Sequence, residues 1–188
     1  MNVASQPRPG ELLVAQAGEV GGYFANSVVL ILDRDPGGTL GVCLDRLSPF
    51  VLGEVLPGWE ELVCPPQRLF EGGPVSPNGA VCVAKVANPT EDPPGWRRLF
   101  DDIGLLHLDT PTELVEGAFT DLRIFAGYAG WDAGQLEGEL DAGAWHRVSA
   151  REDDIFGTDP EGLWRRVLRR QGGTLALYST WGTDPEAN

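Results

Sequence analysis

Residues 27–45, read in turn as SVVLILD, RDPGG and TLGVCLD, restrict the fold more than any other part of the chain. Val28 to Leu32 is an unbroken apolar run rich in β-branched residues, which predicts a strand buried on both faces rather than one half exposed to water. Asp35, Pro36, Gly37 and Gly38 carry turn chemistry, and residues 39–45 return as a second strand, so a hairpin is expected here. Burying such a hairpin needs a sizeable core. At 188 residues the chain suffices for one domain that buries roughly two thirds of its unfolded surface, without a disulfide or metal staple. The 25 glycines and 15 prolines add many turns, and the expectation is a compact, strand-rich fold.

Elsewhere the pattern predicts short elements. Residues 11–15, ELLVA, read as a strand, and Leu52, Val55 and Leu56 as a helical turn or two confined by Gly53 and Pro57. Residues 68–75 and 80–86 read as two strands around a turn at SPNG, and residues 88–98 as an exposed loop. Thr110 and Glu113 fit a capping box with Pro111 at the first helical position, and residues 122–128 are strand-like. The clearest helix opens at Asp159 and Pro160, buries Leu163, Trp164, Val167 and Leu168, and stops at Gly172. Residues 174–181, TLALYSTW, are expected to close the chain as a strand, and residues 1–9 and 182–188 are expected to be flexible ends of a single domain over 1–188.

Lys and Arg number 14 against 28 Asp and Glu, a net charge of −14 that repels phosphate backbones and anionic lipid. Direct DNA binding is therefore disfavoured, whereas a cation, an amine ligand or a basic protein patch is attracted. Cys43, Cys64 and Cys82 are odd in number and lack CxxC spacing, which reads as reduced thiols in a cytoplasmic protein. Cys64, followed by two prolines, is expected to be the most exposed of them. The N-terminus has no basic start leading into an apolar core, and no stretch approaches the roughly 18 apolar residues of a membrane span.

The stretch AGYAGWDAGQLEGELDAGAW, residues 126–145, passes from strand-like to helical pattern across a glycine-rich bend. Phosphate cradles use that geometry, but Gly127, Gly130 and Gly134 match neither GxGxxG nor a Walker sequence, and Asp132, Glu137 and Glu139 put charge where a phosphate would sit. A well-capped helix explains more: Asp132 and Gln135 stand in capping-box relation, Leu136 and Leu140 form a buried stripe, and Gly143 ends it. Gln135 and Glu139, four residues apart on one face, are left over as a polar pair able to line a groove.

Catalytic patterns are weak. Hydrolysis by paired carboxylates could draw on Asp35, Asp45, Glu71 or Glu139, but sequence does not measure their separation. No GxSxG elbow exists, and His107 and His146 are the only imidazoles. No cofactor motif is found, and zinc would need scattered cysteines and histidines. Arg165, Arg166, Arg169 and Arg170 on the closing helix, with Arg97 and Arg98, form either a solvated helix end or a docking patch for a carboxylate-rich partner.

Taken in order, ELLVA, FANSVVLILDRDPGGTLGVCLDR, FEGGPV, GYAGWDAGQLEGELDAGAW and DDIF resemble the YqgE/AlgH family of bacterial proteins over most of the chain. The resemblance implies a single cytoplasmic α+β domain with a central, strongly bent, mostly antiparallel or mixed sheet flanked by short helices, with no assigned cofactor or reaction. The AlgH name implies a proposed role in transcriptional regulation, for which a protein partner is the natural intermediary here. Two departures stand out: Asp33, Arg34 and Asp35 replace a family segment that contains His, and Asp45, Arg46 and Leu47 replace an Asn-basic-Pro segment. The expected function is that of a non-enzymatic binding or regulatory protein acting through a protein partner or small ligand, with Arg34, Asp45, Gly72, Gly73, Gln135 and Glu139 as the binding surface. The alternative is a hydrolase or lyase using Glu71 and Glu139 in a groove.

Overall fold

The hairpin forms as β2, Val28–Asp35, and β3, Gly38–Cys43, in a computed structural model that describes residues 6–180. Before it comes β1, Glu11–Ala15. After it follow α1, Leu52–Val55; β4, Phe70–Glu71; β5, Val75–Val86; β6, Trp96–Phe100; β7, Ile103–Leu106; and α2, Thr112–Val115. The chain then runs through β8, Phe119–Asp132; α3, Gln135–Asp141; β9, Trp145–Ser149; α4, Glu152–Phe156; α5, Leu163–Gln171; and α6, Gly173–Tyr178. The strands make one sheet in the order β6-β7-β5-β8-β3-β2-β1-β9, antiparallel throughout, and β4 joins β8 in parallel. Curled into a half-barrel and flanked by short helices, it is an α+β single domain.

The long strand β8 joins the two halves of the sheet. Its first part pairs with β5 and its last part with β3. Between them β4 wedges in beside Phe125 and Ala126, and the chain continues so that Gly72 N–H donates to the Ala126 carbonyl at 2.8 Å while the Gly72 carbonyl accepts from Cys43 N–H at 2.8 Å. A side chain on Gly72 would strike the Gly127 carbonyl, and one on Gly73 the Tyr128 backbone, so two glycines are what allows three strands to meet here.

Both-face burial of β2 follows from its position. Val28, Leu30 and Leu32 face the main core inside the curl with Leu12, Phe70, Phe125, Ile155 and Trp164, closed by α4 and α5. Val29 and Ile31 face a second layer with Leu13, Cys43, Trp131, Leu136 and Trp145, covered by α3 and by the β1–β2 connection. A third cluster at the other end gathers Trp59, Cys82, Trp96 and Ile124.

Several local expectations are corrected. Residues 76–79 make no hairpin turn: β5 runs through them as an exposed irregularity between Val75 and Ala80, with Ser76 at φ +46°. The loop expected at 88–98 ends in a strand, because Trp96 is buried and its indole N–H donates to the Ala84 carbonyl at 3.1 Å. α2 starts after Pro111 with no side-chain cap, and Thr110 instead packs under Gly95. Residues 173–178 are helical, not a strand: Gly172 and Gly173, at φ +73° and +55°, fold the segment back so that Leu175 and Tyr178 pack on the main core. The last residue of that expected strand, Trp181, lies outside the described residues. Cys64 is 9% exposed rather than a loop thiol, and burial pushes its thiol up against the opposing effect of nearby Arg123.

In the N-terminal stretch, Arg8 N–H donates to Glu11 and Gln6 accepts from Arg34. Residues 1–5 and 182–188 of the expected flexible ends lie outside the described residues. Among the described residues, no helix is long and apolar enough to cross a membrane.

Candidate functional site

The side of β2, β3 and β8 that carries Val29, Ile31, Cys43 and Trp131 is covered by α3 and residues 16–27. These twelve residues form a strap that leaves β1, makes a single 3-10 turn at Gly22–Phe24 and returns into β2.

Gln135 opens α3 behind Gly134, whose φ of +77° turns the chain out of β8. Its side-chain carbonyl accepts the Asp132 N–H at 3.0 Å, which is half of the expected capping box; the Asp132 carboxylate makes no cap. Its amide donates to Glu139 Oε1 at 3.0 Å, and Glu139 Oε2 accepts both indole N–H groups, from Trp131 at 2.9 Å and Trp145 at 2.7 Å. Glu139 therefore ties the end of β8 to the start of β9, with the two indoles edge to face 5.9 Å apart.

Under the strap, Tyr23 donates its hydroxyl to Glu71 Oε1 at 2.7 Å, and the Arg46 guanidinium lies 4.2 Å over the Tyr23 ring. Arg46 also donates to the Tyr23 carbonyl and, at 3.0 Å, to Ser27 Oγ. Asp45 accepts the Val28 N–H at 3.0 Å. Burial pushes the Asp45 carboxyl up to about 6, although the Val28 N–H and Arg46 both pull the other way. Burial likewise pushes the Cys43 thiol up to about 12, and burial and the Glu71 bond raise the Tyr23 phenol.

Arg34 stands at the far end, where its guanidinium donates to Glu137 of α3 at 2.5 Å and to Gln6 at 2.8 Å. That bond holds the Glu137 carboxyl below its ordinary range. Arg34 thus reaches α3 through Glu137 rather than through Gln135 or Glu139, which bond each other and the indoles, while Glu71 bonds Tyr23. Gly72 and Gly73 lie beneath as spacers. Tyr23 was not singled out from the sequence, Arg46 and Glu137 were named there but not as binding residues, and the arginine-over-tyrosine contact spans 23 residues with no local signal to find it.

Two confluent clefts open at the hairpin tip, of about 520 and 360 Å³. The register sets their lining: Asp33, Leu40 and Gly130 form one cross-strand row, and Asp35, Gly38 and Asp132 the next but one. In the larger cleft the side-chain-free Gly38 and Gly130 lie beside Leu40, Tyr128 and Val75, with Asp33, Asp35 and Asp132 bordering the same space. Arg34, Asp35, Gly38, Thr39 and Asp132 are shared with the smaller cleft, to which Glu137 adds a further carboxylate. Neither Glu71 nor Glu139 lines these clefts, nor a third of about 480 Å³ between β5 and β7. Among the described residues no group of three or more His, Cys, Asp or Glu is placed to hold a metal ion.

Of the arginines on α5, three are engaged at home: Arg165 with the Ser179 carbonyl at 2.9 Å, Arg166 with Asp159 at 2.9 Å, and Arg170 with both oxygens of Asp154 at 2.5 and 2.7 Å. The sequence also hid Arg123, 2% exposed, which donates to the carbonyls of Ile155, Gly157 and Pro65 and so binds β8 to the α4 end.

Residues 12–176 match the family model described as AlgH-like. A UPF0301 protein of Streptomyces coelicolor is 47% identical over 182 residues, covering 95% of this chain and 94% of its own length. A UPF0301 protein of Mycobacterium tuberculosis is 38% identical over 187 residues, covering 98% and 93%. The crystal structure of a Corynebacterium diphtheriae protein superposes with a TM-score of 0.86 at 33% identity, covering 94% of each chain. The solution structure of AlgH from Pseudomonas aeruginosa shares the fold, with a TM-score of 0.67 at 23% identity over 96% of this chain and 99% of that one.

Proposed function

We propose, from the premise that the chain belongs to the AlgH-like family, that it is a binding protein and not an enzyme, and that the clefts at the hairpin tip receive a positively charged side chain of a protein partner. The observation that carries this reading is the composition of the paired clefts: Asp33, Asp35, Asp132 and Glu137 against the single guanidinium of Arg34, beside a floor left open at Gly130. Arg34 is already committed to Glu137, so among the described residues the remaining carboxylates have no cation of comparable closeness; Arg97 reaches Asp33 only at 3.7 Å, with both side chains mostly exposed. An incoming guanidinium or ammonium would find carboxylate partners and an aromatic wall at Tyr128. The net charge of −14 would speed its approach and keep nucleic acid away. Three buried thiols, none in a disulfide, support placing this activity in the cytoplasm.

The hydrolase or lyase alternative finds less support, because Glu71 is bonded to Tyr23 and Glu139 to two indoles and an amide. The test is calorimetric titration with an arginine-bearing peptide, wild type against an Asp33→Asn, Asp132→Asn double variant. The proposal expects binding that weakens at least tenfold in the variant and falls with added salt. Equal affinity for both proteins, or none for either, overturns it.

A further inference from the structure

The strap is attached in an unusual way. Its neck is closed by Ala15 N–H donating to the Ser27 carbonyl at 3.0 Å. Gln16 N–H still donates to the Ala144 carbonyl at 2.8 Å, and after it the strap's backbone bonds turn inward: Glu19 and Val20 donate to Gln16, Ala25 to Gly22, and Ser27 to Phe24. Such a closed loop, packed by its own side chains, can leave the sheet without breaking a strand ladder. Gly21 and Gly22 stand on open space, and Asn26 adopts the left-handed conformation at φ +56°, so the chain on either side of Tyr23 and Phe24 turns at residues suited to it.

Besides Gln16 at its start and the Arg46 bonds to the Tyr23 carbonyl and Ser27, two aromatic side chains hold it down. Tyr23 sits with its ring on Arg46 and its hydroxyl on Glu71; Phe24 lies 6.1 Å from Trp131, stacked, and 5.9 Å from Trp145, edge on. Both are only half-buried. The surfaces they cover are prepared for exactly two neighbouring rings, one carrying a hydroxyl: a guanidinium plane with a carboxylate beyond it, then a right-angled pair of indoles fixed by Glu139. Arg46 Nε is buried there without an acceptor, so the guanidinium is not saturated by the strap. Most of the sequence stretches that carry the family resemblance contribute to this slot: Phe24 and Ser27, Arg46, Glu71, and Trp131 with Glu139 and Trp145.

We propose that the slot walled by Arg46, Glu71, Trp131 and Trp145 is a recognition site for a tyrosine followed by an aromatic residue in another protein's chain, and that Tyr23 and Phe24 hold it shut as an occupant in cis. Opening the strap exchanges an internal tyrosyl-aromatic pair for an external one with the same bonds: phenol to Glu71, ring to Arg46, second ring to the indoles. The cis occupant lowers the apparent affinity of the external one by the fraction of time the slot is closed.

The probe is N-acetyl-Tyr-Phe-amide, titrated against the wild type and a Tyr23→Ser, Phe24→Ser variant while the indole N–H resonances of Trp131 and Trp145 are followed. The variant should bind at least tenfold more tightly than the wild type, shift both indole signals, and lose at least fivefold in affinity for the Phe-Phe probe that lacks the hydroxyl. No binding by the folded variant, or equal binding of both probes, overturns the proposal. Should the variant fail to fold, hydrogen exchange on the wild type decides: residues 17–26 exchanging faster than β1 and β2, and faster still with the probe, supports it, whereas exchange of the strap only together with the sheet, or no response to the probe, overturns it.

Discussion

Asp45 is held in the folded protein at a cost that can be removed by one atom's change. Its carboxyl accepts the Val28 N–H at 3.0 Å beneath the strap, and burial pushes it up from 3.8 to about 6. Because the folded state disfavours the charge, stability is greatest where Asp45 is protonated in both states, falls as pH rises from about 4 to 6, and stays at the lower level above that. The upward shift from 3.8 to about 6 corresponds to roughly 3 kcal/mol at 1.36 kcal/mol per pKa unit. Asp45→Asn keeps an oxygen for Val28 and removes the charge, so at pH 7–8 the variant should exceed the wild type by up to about 3 kcal/mol, roughly 6–12 °C in Tm for a chain of this size. Urea and thermal melts of both proteins at half-unit steps from pH 4 to 8 test this, and their difference reads Asp45, because the Cys43 thiol, which feels its charge and is raised to about 12, stays protonated throughout that range. The gain should shrink steadily below pH 6 and vanish near pH 4. A gain that is flat with pH, or a loss of stability at pH 7, would refute the assignment of burial as the cause.

Other substitutions probe the remaining polar anchors. Glu139→Ala removes the acceptor for two indole N–H groups and should cost on the order of 3 kcal/mol in urea unfolding, with altered near-ultraviolet circular dichroism from Trp131 and Trp145; a cost under about 1 kcal/mol would show that water replaces it readily. Arg123→Met leaves the carbonyls of Ile155, Gly157 and Pro65 short of a donor and should destabilise by about 3–5 kcal/mol in the same assay, while an unchanged midpoint would count against its role as a pin. Arg166→Gln breaks an ion pair whose side chains are 42% and 68% exposed, so a loss below about 1 kcal/mol is expected, and a larger one would mean the pair organises the approach to α5.

Legibility followed range along the chain. The β2–β3 hairpin and the apolar face of α5 were readable because their signals, a continuous β-branched run and a 3.6-residue stripe, lie within one element. α3 was placed correctly, but its cap was not: Asp132 belongs to β8, and the turn is made by Gly134. Residues 173–178 have the composition of a strand, yet two left-handed glycines direct them onto α5 as a helix. At the site, Gln135 and Glu139 were visible as a pair, whereas their use as an indole clamp depends on Trp145 of β9 meeting Trp131 of β8, with three strands between them in the sheet order. The Tyr23–Glu71 bond joins residues 48 apart, and only the wedge of β4 beside β8 brings them together.

Five consecutive apolar residues in β2 place side chains on both faces of any strand they form, so a cover on each face was obligatory from local pattern alone. Which segments supply the cover could not be read from any single stretch. The register of β8 against β3, β4 and β5, permitted by Gly72 and Gly73, seats α4 and α5 on one face and α3 and the strap on the other. That choice is a matter of long-range packing, in which each segment's position is set by backbone bonds made far away in the chain.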